Sequence, residues 1–413
     1  MILEATLFGD FEYGDDTLRH TFATRNYIWW YLAPLVIREI LFGKWNFHTL
    51  LGLLVFGLLG TAAYTVGWHQ FVFLCAFAFC ARDLDFKQFA KIVFIFGALY
   101  LAILFTASAS GFLVDNVSSP NAATGMRRHY LGFRHPNGSG LLIFVIVIAG
   151  VYSQGKRFSI PQALALAVLV IAAFALNGAR TMLIASILTL ILGLIAAKWT
   201  APGWFVKSGR ITLALVPVIS IAGALLFALY YVPGTPWMEQ VNQLLSGRPY
   251  YSYKAVHECG LHMWPSIIEL PTHKTMGFTG DGHIIEVTAS IPVDCHYVTY
   301  ALCMGLVLTG VYAVLLAVLG FKSWTPENPQ LAIIVFAMFL YMFMEIPAFL
   351  PCRNPMSLVL GIAFASTGVD LLKAKRRKPR ENPDKDSLPE SITEDKPASV
   401  EPAKSLEPTG NTD

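Results

Sequence analysis

Runs of apolar residues, each close to the length that crosses a bilayer, recur along most of this chain. A helix rises about 1.5 Å per residue, so roughly 20 apolar residues span the hydrocarbon core. Charged residues make up only 14% of the chain and hydrophobic residues 55%, whereas soluble domains carry about 25% charged residues. This composition excludes a soluble globular protein. It predicts an all-α polytopic membrane protein, because a helix satisfies its own backbone polar groups within lipid.

The apolar runs predict about eleven transmembrane helices. Their expected bounds are 27–43, 47–66, 68–82, 86–108, 136–153, 159–177, 180–198, 211–231, 297–320, 329–347 and 355–372. The chain then divides into an acidic N-terminal segment at 1–26, helices one to eight at 27–231, a long loop at 232–296, helices nine to eleven at 297–372, and a tail at 373–413. The tail is polar and charged, so we expect it to be disordered.

Basic residues predict the orientation. Lys373, Lys375 and Arg376 begin a basic run after the last span, which puts the tail in the cytoplasm and the N-terminal segment and long loop outside. A set of cations then falls on the disfavoured outer side: Arg127, Arg128, Arg134, Arg180, Arg248, Lys254, Lys274 and Arg353. Snorkelling to headgroups accounts for one or two of them. The size of the set favours an anionic ligand at the outer face.

Several outer residues are candidates for such a site. Arg134, His135 and Asn137 stand at the start of the fifth span, where a helix N-terminus favours anions; an ordinary helix start is an equal alternative. Taken alone, Arg180 is more simply explained as a snorkelling residue in a tight turn, and Arg248 as an exposed loop residue.

The second half of the chain adds possible acid–base groups. Asp294 or His296 could take a proton from a sugar hydroxyl, although helix capping by Asp294 and an interfacial Tyr297 are alternatives. Glu345 lies in an apolar run, where carboxylates are functional by default. Its expected ion-pair partner is Arg353 or Arg180.

The cysteines and histidines do not indicate a metal site. Those of the long loop lack compact zinc-ligand spacing. Cys259, Cys295 and Cys352 are expected outside the membrane, where one disulfide could form among them, and the spacing favours no particular pair.

Taken together, these segments resemble the Wzy-type polysaccharide polymerases of Gram-positive bacteria, relatives of the O-antigen ligases. The matching segments are Ala81–Lys87, Gly132–Asn137, Gly178–Arg180, Ser246–Arg248, Asp294–Tyr297, Glu345 and Arg353–Pro355. Their order is that of the family, over roughly residues 40–372. Cys295 stands where the family usually has Asn.

The resemblance implies a helical membrane glycosyltransferase of the bacterial cell membrane, inverting and independent of metals and other cofactors. It would join oligosaccharide units carried on undecaprenyl diphosphate into exopolysaccharide or capsule at the outer face, beside a flippase and a chain-length regulator and without nucleic acid. The implied diphosphate ligands are Arg134, Arg180, Arg248 and Arg353. The implied bases are His135, Asp294 or His296, and the further substrate contacts are Asn137, Tyr297 and Glu345.

Two other functions compete with this one. An O-antigen-ligase-like enzyme would transfer finished polysaccharide to another acceptor and would share the charge pattern. A transporter of polysaccharide or lipid-linked sugars would carry polar residues along its mid-membrane positions. The predicted spans are nearly free of such residues, and the polar residues crowd the outer side, which favours chemistry at that face.

Overall fold

The structure is a computed structural model that describes residues 27–43, 45–113, 128–131, 133, 136–199, 202–278, 284–291, 293–346, 351 and 353–365. The described α-helices are α1 (Tyr27–Phe42), α2 (Phe47–Thr65), α3 (His69–Cys80), α4 (Phe86–Ala109), α5 (Pro136–Gln154), α6 (Ile160–Asn177), α7 (Arg180–Lys198), α8 (Gly203–Tyr230), α9 (Pro236–Leu244), α10 (Arg248–Cys259), α11 (His296–Ser323) and α12 (Pro329–Met344). A 3₁₀ helix covers Pro355–Phe364, and strands β1 (Thr272–Phe278) and β2 (Ile284–Ser290) form an antiparallel hairpin.

Seven of the described helices are long and apolar enough to cross a membrane: α2, α4, α5, α6, α7, α8 and α11. The protein is therefore a helical membrane protein, and eleven spans remain a prediction. The bounds of two expected spans differ most from the observed elements. The span expected at 211–231 begins earlier, at Gly203, and the span expected at 355–372 is a 3₁₀ helix over Pro355–Phe364.

Helix α5 occupies the centre of the bundle. It packs against α4, α6, α7, α12 and the 3₁₀ helix. Every residue from Leu141 to Tyr152 is buried, as expected for a helix that is apolar on all sides. The Phe144 ring stacks on Tyr341 of α12, with 4.5 Å between the centroids. This packing brings the first residues of α5 beside the end of α12, where the candidate site lies.

Local sequence signals account for the helix ends. Asp85 caps α4 by accepting from the backbone N–H groups of Lys87 and Gln88. Ser159 and Gln162 form a capping box at the start of α6, which satisfies two N–H groups that lack helical partners. Gly178 then ends α6 in the left-handed region at φ 63°, a conformation that glycine adopts without steric cost.

Arg82 is part of the core. Its side chain is only 1% exposed and forms an ion pair with Glu39 of α1. Its guanidinium also donates to the Phe79 carbonyl at 2.9 Å and lies over the Phe79 ring. A buried charge needs such partners because leaving water is costly. Arg82 thus joins α1 to α3.

The predicted long loop contains regular structure. Beyond α8 the chain forms α9, α10 and the β1–β2 hairpin before α11 begins. At its start, the backbone N–H of Gly234 and the Tyr231 hydroxyl donate to the Glu239 carboxylate, at 3.1 and 2.8 Å. These two bonds stabilise the charged form and lower the pKa of Glu239. They also hold α9 against the end of α8.

Helix α11 is interrupted at Gly305, where the sequence predicted a continuous span. Gly305 has φ 77° and ψ 165°, and a loop segment packs into the break. The carbonyl oxygens of His262 and Met263 accept from the N–H groups of Leu306 and Val307 at 2.9 and 3.2 Å. Irregular backbone at this depth is tolerated when protein groups satisfy it. The break therefore joins the loop before β1 to the middle of the bundle.

We predict opposite effects for alanine at two glycines of α11. Gly305→Ala should destabilise the protein by about 2–4 kcal/mol, because the residue has positive φ and its Cβ would lie 2.6 Å from the Trp264 carbonyl carbon. Gly310→Ala meets no atom within 4 Å and should be neutral or stabilising by up to ~1 kcal/mol. The melting temperatures of the two purified variants measure these effects. Equal melting temperatures for Gly305→Ala and Gly310→Ala would contradict the prediction.

Candidate functional site

The ends of several helices surround a cavity of about 180 Å³, here called the arginine cavity. The lining residues are Arg128, Asn137, Gly178, Arg180, Thr181, Ser246, Arg248 and Asp294. Four of the residues singled out from the sequence lie on this cavity: Asn137 at the start of α5, Arg180 at the start of α7, Arg248 at the start of α10, and Asp294 before α11. Packing of the bundle thus joins segments far apart in the sequence.

Arg248 is the most highly connected of these residues. Gly247, at φ 82°, turns the chain so that α10 begins at Arg248. Its Nε donates to the Met344 carbonyl at 2.9 Å, and its Nη2 donates to Glu345 Oε1 at 2.5 Å. Nε also lies 3.5 Å from Asp294 Oδ2. The side chain is 14% exposed, so the view of Arg248 as an exposed loop residue was wrong.

Glu345 bonds two residues that line the cavity, Arg248 and Asn137. It follows the last residue of α12 and is buried. The sequence paired its carboxylate with Arg353 or Arg180, whereas the structure pairs it with Arg248. Asn137 of α5 donates from Nδ2 to the same Oε1 at 2.7 Å. The carboxylate thus holds α5, α10 and the end of α12 together.

Arg180 is presented by a tight turn between α6 and α7. The Asn177 side chain is fully buried: its Nδ2 donates to Ser139 Oγ at 3.2 Å, and its Oδ1 accepts from the Ala179 N–H at 2.9 Å. These bonds hold the turn. The Arg180 side chain is exposed at the cavity and makes no hydrogen bond or ion pair with another described residue. Its charge is available to a ligand.

Arg128 is a cavity residue that the sequence reasoning left without a role. It is half-buried beside the turn, and a Cβ added at Gly178 would lie 3.0 Å from Arg128 Nε. Its segment is tied to the end of α6, where the His129 N–H donates to the Leu176 carbonyl at 2.9 Å. The signal that pointed to it was its membership of the outer basic set.

Two predicted site residues lie away from the cavity. His296 is fully buried among aromatic rings and shares a 3.2 Å hydrogen bond with the Tyr312 hydroxyl. Tyr297 is also fully buried, and its hydroxyl donates to the Phe339 carbonyl at 3.0 Å. Neither lines the arginine cavity. Their packing is that of core residues, although each follows Asp294 closely in the sequence.

The remaining predicted residues fall into two groups. Arg353 is half-buried in the turn before the 3₁₀ helix and is not among the residues lining the cavity. Arg134 and His135 lie outside the described residues. Of the three cysteines considered for a disulfide, Cys259 and Cys295 have free thiols, and Cys352 lies outside the described residues.

The charges of the cavity suit an anionic ligand. The guanidinium groups of Arg128, Arg180 and Arg248 line the cavity. Among the described carboxylates, those of Asp294 and Glu345 lie beside Arg248, so Arg180 adds a positive charge that no described carboxylate pairs. Arg180 also begins α7, so the helix dipole adds partial positive charge there. Guanidinium groups at a helix start are well suited to phosphate oxygens. Asp294, with a side chain 38% exposed, is open to a ligand proton.

No protein-family model, curated protein or solved structure matches this chain.

We predict that Glu345→Gln destabilises the protein. The substitution keeps the size of the side chain but leaves the Arg248 guanidinium without its shortest ion pair, and breaking a buried pair costs on the order of 3–5 kcal/mol. Glu258→Gln is the matched control: its carboxylate pairs with Lys254 at 3.7 Å on the α10 surface, a contact worth less than ~0.5 kcal/mol. Thermal unfolding of both purified variants is the measurement. Equal melting temperatures would show that Glu345 is not needed to compensate Arg248.

Proposed function

We propose that this protein polymerises oligosaccharide repeat units carried on undecaprenyl diphosphate into exopolysaccharide or capsule, at the outer face of the bacterial cell membrane. The observation that carries the proposal is the arginine cavity, where Arg128, Arg180 and Arg248 meet Asp294 at one end of the bundle. An anion site and a potential base within one small cavity are what transfer of a sugar from a diphosphate requires.

The arginines match the leaving group. A lipid diphosphate carries its charge at headgroup depth, and guanidinium groups bind phosphate oxygens in a forked geometry while keeping their charge. Arg180 is exposed at the cavity and begins α7, so it is suited to the charge that develops as the diphosphate leaves. Groups arranged in advance around such charge commonly contribute about 10²–10³-fold to the rate.

Asp294 is the described residue best placed to act as the base. It lines the cavity and its side chain is 38% exposed, whereas His296 is fully buried away from it. In the proposed step the acceptor hydroxyl oxygen attacks the anomeric carbon, and its proton passes to the Asp294 carboxylate. The bond from the anomeric carbon to the diphosphate oxygen breaks, and the lipid diphosphate leaves with the electron pair.

Arg248 has a second role in the proposed mechanism. Its Nε lies 3.5 Å from Asp294 and its Nη2 bonds Glu345, so the guanidinium orients the proposed base while sharing its charge with two carboxylates. Glu345 and Asn137 act as positioning residues through Arg248. Arg180, which is exposed at the cavity, is then the main diphosphate ligand of the proposal, with Arg128 lining the cavity beside it.

We expect Arg180→Ala and Arg248→Ala each to abolish long polymer while single lipid-linked repeat units accumulate. Arg157→Ala is the control, because Arg157 is exposed beyond the other end of α5 and its loss should leave chain length unchanged. The measurement is the size distribution of surface polysaccharide and of its lipid-linked precursors in cells carrying each variant, with membrane insertion checked in parallel.

Other outcomes of this experiment identify other functions. Normal-length polymer left on the lipid carrier indicates a ligase. Precursors trapped on the cytoplasmic side indicate a transporter and overturn the catalytic role of the arginines. Wild-type chain length in Arg180→Ala and Arg248→Ala removes the diphosphate role.

The proposed base is tested separately. Asp294→Asn keeps the shape of the side chain but cannot accept the proton, so turnover of lipid-linked units in membrane vesicles should fall by about 10²–10⁴-fold. Glu258→Gln removes a carboxylate of α10 away from the cavity and should leave turnover unchanged. Wild-type turnover in Asp294→Asn would move the base elsewhere, with His135 as the next residue to substitute.

A further inference from the structure

A second, apolar groove of about 530 Å³ lies on the side of the bundle between α8 and α11. Val218 lines it from α8, and residues from Gly310 to Lys322 line it from α11. Because α11 begins next to Asp294 and ends at Ser323, the groove occupies the half of α11 far from the arginine cavity. Its volume is within the range of ligand sites, roughly 300–1,000 Å³.

The walls of the groove suit a hydrocarbon chain. Val314 is 64% exposed and Phe321 is 48% exposed, and both stand on a helix that is long and apolar enough to cross a membrane. A Cβ added at Gly310 meets no atom within 4 Å, so the groove is open at that point. An open apolar groove on the face of a membrane helix lies against the acyl chains of the bilayer, which are as apolar as its walls.

Two cations stand at one end of the groove. Lys322 lines it and donates to the Ala363 carbonyl at 2.6 Å. Arg210 of α8 lies 5.9 Å from the centre of the neighbouring Phe321 ring and donates from Nε to the Trp324 carbonyl at 2.7 Å. Neither forms an ion pair with a carboxylate of the described chain. An ammonium has three donors and a guanidinium five, so each cation retains donors for an anionic group.

We infer that the groove binds one anionic phospholipid, with an acyl chain along the α8–α11 groove and the phosphate at Lys322 and Arg210. The apolar walls complement the acyl chain of such a lipid, and the two cations at the same end, which no described carboxylate pairs, complement its phosphate. Basic pockets between membrane helices on the cytoplasmic side bind anionic headgroups in this way. The inference does not rest on the proposed enzymatic function, since it concerns the opposite end of the bundle.

The inference can be tested on the full chain purified in detergent. The protein is mixed with phosphatidylglycerol and phosphatidylcholine that have the same acyl chains, and native mass spectrometry counts the lipid that stays bound. The wild-type protein should retain phosphatidylglycerol preferentially. Lys322→Gln and Arg210→Gln should each weaken that binding by about fivefold, the effect of one cation near the headgroups. In Arg210→Gln the amide nitrogen stands where Nε stood and can still donate to the Trp324 carbonyl, so this variant removes the charge with the least change in hydrogen bonding. Ala317→Phe should fill the groove and displace the lipid.

Two controls match these variants. Lys207→Gln removes an exposed cation of α8, and Ala172→Phe adds a ring on the exposed face of α6; both should bind phosphatidylglycerol as the wild type does. Equal retention of the two lipids by the wild type, an equal loss in Lys207→Gln, or unchanged binding in Ala317→Phe would each overturn the inference. A dimer that dissociates in Ala317→Phe would assign the groove to a second copy of the chain instead.

Discussion

The ion pair between Arg248 and Glu345 is the interaction on which the arginine cavity depends. In a helical membrane protein the helices gain little from burying apolar surface against one another, because lipid is equally apolar. Polar contacts therefore contribute much of the specificity of packing. Through Arg248 and Glu345, the starts of α5 and α10 and the end of α12 share one set of charge-assisted bonds. These bonds are strong because the groups are shielded from water.

The basic side chains at the two ends of the bundle have different hydrogen-bond and ion-pair partners. At the end far from the cavity, Arg82 pairs with Glu39, while Arg210 and Lys322 donate to backbone carbonyls. At the cavity, Arg180 is exposed without a described partner and shares the wall with Arg128 and Arg248. Asp294 and Glu345 compensate Arg248, whereas the charge of Arg180 has no described carboxylate beside it. An anion bound next to Arg180 would be stabilised by that charge, so the arrangement favours an anionic ligand at the cavity, whatever the reaction is.

Sequence patterns anticipated the helices and part of the site. The apolar runs predicted most ends of the α-helices to within a few residues, and the start of α8 was the exception. The caps at Asp85, Ser159 and Gly178 that the structure shows act over one turn, so the ends they fix are local in the sequence. The break at Gly305 was not predicted, since it depends on a loop some forty residues earlier in the chain. The pairing of Glu345 with Arg248 was missed for the same reason. A buried carboxylate needs a cationic partner, but the identity of that partner depends on how the helices pack.

His296 shows the limit of inferring a role from neighbours in the sequence. Asp294 and His296 are two residues apart, yet Asp294 lines the cavity and His296 is fully buried against Tyr312. The difference arises because α11 begins at His296: the first turn points that ring into the aromatic core, while Asp294 lies before the helix and lines the cavity. A helix start therefore separates a group that can meet a ligand from one that stabilises the bundle. Arg180 and Arg248 are also the first residues of helices, yet both line the cavity, so the packing of each helix, and not the position of a residue at its start, decides which side chain can meet a ligand.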